Sequence, residues 1–188
     1  MTESGRGRAM VRYSLDKLRE SILYISRRCE NDPTFGLTKL TKVLFWSDFE
    51  WFQRTGEAIT GSDYIAAPRG PLLEKQEGIL TGMEFKHWLH MENRPSGGEN
   101  PYRRPIANRA PDTSLFTAEE LNVIDRVIVD QWGKHATELS DLSHRFIGWQ
   151  VARPGERIPY GAASIFAPEI TDDDIALAKE LGSRLGSR

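Results

Sequence analysis

Cysteine, long apolar runs and an excess of charge of either sign are all missing from this sequence. A single cysteine, Cys29, stands among 188 residues, so an intrachain disulfide framework is excluded and a reducing, cytoplasmic setting is expected. No apolar run approaches the roughly 18–20 residues needed to cross a bilayer, so no membrane insertion is expected. The start, MTESGRGRAM, has basic residues without an apolar core behind them and reads as a frayed tail, not a secretory signal. The 25 lysines and arginines against 27 aspartates and glutamates leave a net charge of -2. That balance speaks against a generic electrostatic nucleic-acid binder, although it leaves local patches open.

Catalytic signatures are equally scarce. HExxH, CxxC, GxSxG and GxGxxG do not occur. Gly56 to Ser62, GEAITGS, has the glycine spacing of a phosphate loop, but serine replaces the lysine and the stretch follows a helix instead of a strand. His87 and His90 fall in an expected strand, where a spacing of three sends their side chains to opposite faces. Ser143 and His144 are adjacent on an expected helix and so do not face one another. Cys29, at a helix end, reads as inert packing. The residues therefore point to no enzyme, no metal and no cofactor.

What is present is an ordinary globular composition, 39% hydrophobic and 28% charged. Ser14 caps an expected helix carrying Leu15, Leu18, Ile22, Leu23 and Ile25, which ends before Pro33. A second helix is expected from Thr34 or Gly36 to Arg54, stopped by Gly56. Tyr64–Ala66 reads as extended, Arg69–Pro71 as a turn, and Leu72–Leu80 as a third helix. Phe85–Met91 and Tyr102–Asn108 read as two strands of a hairpin turning at Gly97-Gly98. Thr117 and Glu120 form a capping box for another helix; further helices are expected over Thr137–Phe146 and from Thr171. The pattern predicts an α+β, mostly helical single domain of about six helices with a small β-hairpin. It assigns 1–13 to a disordered tail and 14–188 to the domain.

The second helix holds the puzzle. Leu37, Leu40, Leu44, Phe45, Trp51 and Phe52 form one apolar face, and Asp48 sits in its middle. Three readings stand for Asp48: an acceptor for backbone amides or a hydroxyl such as Tyr64, a catalytic acid or base, or the anchor of a partner-binding loop. The opposite face carries Lys39, Lys42, Trp46, Phe49, Glu50 and Gln53. Trp46 and Phe49 there are either a second buried surface or partner anchors. Tyr102, Arg103, Arg104 and Arg109 make a small basic patch that reads as a solvated hairpin tip.

The run LTKLTKVLFWSDFEWFQRTGEAITGSDYIAAPRGP resembles the signature region of the Panacea, or SocA-like, antitoxin domain: an apolar helix with Lys42 and Leu44, then G-x-x-I-T-G-x-x-Y over Gly56, Ile59, Thr60, Gly61 and Tyr64, closing on Gly70-Pro71. Further on, LSHRFIGW, with His144 and Trp149, and GERIPY, ending on Tyr160, resemble the family's later pieces. The resemblance implies a non-enzymatic antitoxin that neutralises a cognate protein toxin by direct contact. The toxin classes it implies are an alarmone-synthetase-like translation inhibitor or a membrane-active toxin. It also leaves open an adaptor delivering its toxin to a AAA+ protease through Met1–Arg12 or Leu181–Arg188. A DNA-binding autoregulator and a hydrolase pairing Asp48 with His144 are further alternatives. Trp46, Phe49, Trp88 and Tyr102, with Arg103 and Arg104, are the candidate partner contacts.

Overall fold

In a computed structural model that describes residues 11–95 and 102–164, the described residues form six α-helices and two separate antiparallel strand pairs. The Gly97-Gly98 turn, the helix expected from Thr171, both chain ends proposed for an adaptor (save Val11 and Arg12) and most of the expected tail lie outside the described residues.

Helix α1 (Leu15–Arg28) starts at Ser14, whose hydroxyl accepts from the Lys17 amide at 3.2 Å. It buries Leu18, Ile22, Leu23 and Ile25, the stripe its 3.6-residue spacing dictates. Helix α2 (Leu37–Thr55) ends where Gly56 takes the left-handed conformation, φ 79°, and donates to Phe52 O. α2 packs against α1, against helix α4 (Ala118–Gln131), against helix α5 (Ala136–His144) and against both hairpins, so it is wrapped on nearly every side. The capping box at the head of α4 forms as the sequence requires: Thr117 Oγ1 accepts the Glu120 amide, and Glu120 accepts the Thr117 amide.

Strands β1 (Tyr64–Ala67) and β2 (Gly70–Leu73) pair antiparallel through the two-residue turn Pro68-Arg69. This corrects the helix expected over Leu72–Leu80. Pro71 can sit in a strand because its partner Ala66 turns its own amide and carbonyl away, to Glu156 O and the Gly155 amide, so no ladder bond is demanded of proline. Helix α3 (Gln76–Phe85) begins only after Lys75, at φ 60°. A second correction concerns Phe85. It closes α3 and is exposed, and strand β3 (Leu89–Arg94) starts beyond a reversal at His87, φ 56°. Gly82 lies inside α3, where it faces open space and is tolerated. Strand β4 (Tyr102–Ala107) pairs with β3, and the short helix α6 (Ile147–Val151) follows α5.

Arg104 joins this hairpin to the core and overturns the reading of a solvated tip. It is buried, and its guanidinium donates to the carbonyls of Cys29, Glu30, Asp32 and Phe35. Those oxygens line the exit of α1, where carbonyls lack helical partners and the dipole is negative. Arg104→Met should therefore lower the unfolding free energy by about 2–3 kcal/mol in a urea titration, because several buried acceptors lose their donor together.

Candidate functional site

Two polar clusters on α2 organise the region that the sequence singled out. The first is Asp48, fully buried. Its carboxylate accepts from the Thr60 amide at 2.6 Å, Thr60 Oγ1 at 2.5 Å, the Tyr64 hydroxyl at 2.8 Å and the Tyr160 hydroxyl at 3.2 Å. Burial pushes the Asp48 carboxyl up and the four donors pull it back, the balance remaining upward. Burial, followed by the adjacent carboxylate, raises the Tyr64 and Tyr160 hydroxyls. The arrangement ties α2 to the turn, to β1 and to the far end of the described chain. Asp48 is an acceptor hub, and His144 is not among its partners. His144 instead stacks on Trp149, ring centroids 4.1 Å apart. Tyr160 was not singled out for this role in the sequence, although it closes the GERIPY piece.

The second cluster is Lys42. It is buried, and Nζ donates to Arg69 O at 2.7 Å and Pro71 O at 3.0 Å, clamping the tip of the β1–β2 hairpin. Burial draws its ammonium down to about 7. Gly70, at φ 89°, is forced: a Cβ there would come 2.0 Å from Ser143 Oγ and 2.5 Å from Lys42 Nζ. The other side of the hairpin is pinned by Trp149 Nε1, which donates to Ala67 O at 3.0 Å. Above Lys42 a cleft of about 390 Å³ opens between the first turns of α2 and the hairpin, with Leu37, Arg69, Pro71, Leu72 and Gln76 in its walls. Gln76 is itself fixed by Thr41, at 2.5 Å.

The candidate contact residues do not share one face. Phe49 is buried against Phe45, Tyr64, Phe146 and Tyr160, so the second-surface reading holds for it and it offers nothing to a partner. Trp46 is half-buried, edge-on to Phe45 and Phe146. Trp88 lies under Arg109, 4.4 Å from guanidinium carbon to ring centroid, and Lys86, 4.7 Å from Nζ to centroid. Tyr102 donates to Pro33 O, Arg103 holds both Glu77 oxygens, and Arg109 holds Glu20. The basic patch is thus spent on internal partners. Gly61, φ 65°, lets the Arg12 carbonyl approach. Cys29 is buried, its thiol pushed up to about 12 mainly by that burial, which leaves it unreactive. Among the described residues no group of three His, Cys, Asp or Glu could hold a metal ion, and no helix is long and apolar enough to cross a membrane.

The residues bound into these two clusters are largely those of the motif. The sequence model of the family described as antitoxin SocA-like, Panacea domain, matches residues 40–150. The chain belongs to that family. No curated protein and no solved structure matches it. The matched span of this Panacea chain contains Lys42, Asp48, Thr60, Tyr64, Gly70 and Trp149, but ends before Tyr160, the fourth donor to Asp48.

Asp48→Asn should cost about 2–3 kcal/mol of unfolding free energy, because an amide supplies only one of the two acceptor oxygens that the four donors use. A melting temperature equal to wild type would show that the hub is dispensable. For Lys42 the sign follows from linkage. Its folded value near 7 lies below the ordinary 10.5, so between those pH values the unfolded chain binds the extra proton and stability rises with pH. Urea titrations at pH 7 and pH 10 should show that rise, and Lys42→Met should remove it.

Proposed function

We propose that this Panacea-family chain is the antitoxin of a toxin–antitoxin pair and neutralises a cognate protein toxin by direct binding. The family match over residues 40–150 carries the reading. The geometry agrees with it in a specific way. The residues of the signature are occupied in hydrogen bonds that shape a surface, and none is left as a nucleophile–base pair: Asp48 serves four donors, Lys42 two carbonyls, and Trp149 the hairpin backbone. A rigid loop and hairpin presented by a polar-pinned helix is a scaffold for recognition, where specificity lies in exposed side chains.

The basic patch lends the autoregulator reading no support, since Arg103, Arg104 and Arg109 all have internal partners. The cytoplasm is the setting in which such a toxin would act.

Co-expression with the adjacent gene is the test. Cells induced for that gene alone should stop growing, and growth should return when this chain is produced beside it. A neighbour harmless by itself, or equally toxic in the presence of this chain, would sink the proposal. Rescue that vanishes only in cells lacking the relevant AAA+ protease would replace direct binding by proteolytic delivery.

A further inference from the structure

We infer that the cleft between α2 and the β1–β2 hairpin grips the toxin, and that its occupant is an acidic toxin segment. A carboxylate of that segment faces Lys42 and Arg69, and its apolar neighbours cover Leu37, Pro71 and Leu72. The inference rests on the antitoxin reading and adds to it a surface and a chemistry.

Charge is the first ground. Lys42 is buried to 2% exposure, and among the described residues no carboxylate lies within ion-pair reach of it. A buried cation served only by neutral acceptors is under-compensated relative to a paired one. The other buried lysine of α2, Lys39, has its carboxylate: Asp32 lies 2.5 Å away. Arg104, also without a carboxylate, rests on the negative end of α1. Lys42 has only the tip of a hairpin. Arg69, on the same tip, is exposed and likewise makes no ion pair among the described residues. The one acid in the cleft wall, Glu77, is neutralised by Arg103 through both oxygens. The cleft therefore carries the uncompensated charge of Arg69 and, when Lys42 is protonated, of its ammonium, a form that a bound carboxylate favours.

Shape is the second ground. Around the cations the walls are apolar, and Leu72 at the rim is 37% exposed. Apolar walls around a fixed charge strengthen its attraction for an opposite charge by excluding water. The tip is held from three directions, by Lys42, by Trp149 and by the close approach at Gly70, so little ordering is lost on binding. β-strand addition is not available here. On the outer edge of β2, Pro71 has no amide to offer, and its carbonyl is taken by Lys42.

The test uses the purified toxin encoded beside this chain, titrated calorimetrically into the full-length protein at low and physiological salt. Arg69→Glu and Leu72→Glu alter only the rim and leave the interior intact; Lys42→Met removes the buried charge. Each should weaken toxin binding by about tenfold or more, and wild-type affinity should fall with added salt. Val129→Asp, on an exposed part of α4, should leave it unchanged. An Asp or Glu of the toxin, changed to Lys, should restore binding to Arg69→Glu. Folded rim variants that bind the toxin within about twofold of wild type would overturn the cleft as the site and leave the antitoxin reading intact. Loss at Val129→Asp alone would move the site to α4. A wild-type chain that binds no toxin would defeat both.

Discussion

One carboxylate sets the geometry of the region around α2 and the β1–β2 hairpin: Asp48, buried in the middle of an apolar helix face and read by four donors. Two of those donors belong to Thr60, in the loop after α2; one is Tyr64, which opens β1; one is Tyr160, nearly a hundred residues on. A polar hub is worth little net stability when complete and is costly when incomplete, because each orphaned donor is already out of water. That asymmetry makes it a device for uniqueness. It admits only one placement of the loop, the strand and the C-terminal turn relative to α2, whereas the aromatic packing of Phe45, Phe49 and Tyr160 around it would tolerate several.

The same logic repeats along α2. Lys39 is matched by Asp32 and Thr34, Thr41 by Gln76, and Lys42 by two hairpin carbonyls. Each of these side chains fixes a different neighbouring segment, so the helix works as an axle from which loops are hung at defined positions. Lys42 stands apart because its partners are neutral. The charge-based inference starts from that contrast: of the two buried lysines on α2, Lys39 has a carboxylate partner and Lys42, which opens toward a cleft, has none among the described residues.

Much of this was legible in the sequence, and the failures have specific causes. The Ser14 cap, the Gly56 stop and the Thr117–Glu120 box announced three helices through local hydrogen bonding alone. Asp48 was visible as a charge on an apolar stripe, and Tyr64 could be named as a donor. Tyr160 could not be, because nothing local in the sequence says that GERIPY returns to the core. Leu72 and Leu73 of strand β2 were read as the start of a helix since Gly70-Pro71 looks like a turn leading into one, and only the strand register, which asks no amide of Pro71, shows that proline belongs to a strand there. Arg104 read as a surface residue because its acceptors are backbone carbonyls of the segment that follows α1, which carry no side-chain signal. Lys42 was noticed as part of a motif, but that it is buried without a counter-ion is a fact of three-dimensional packing.

The hub claim meets its most direct trial in native-state hydrogen exchange compared between wild type and Asp48→Asn. If Asp48 fixes loop, strand and C-terminal turn as one unit, the amides of Thr60, Ala66 and Ile158 lose protection together in the variant, while those in the middle of α1 and α4 keep theirs. A variant in which Thr60 alone exchanges faster, with Ala66 and Ile158 protected as in wild type, would contradict it.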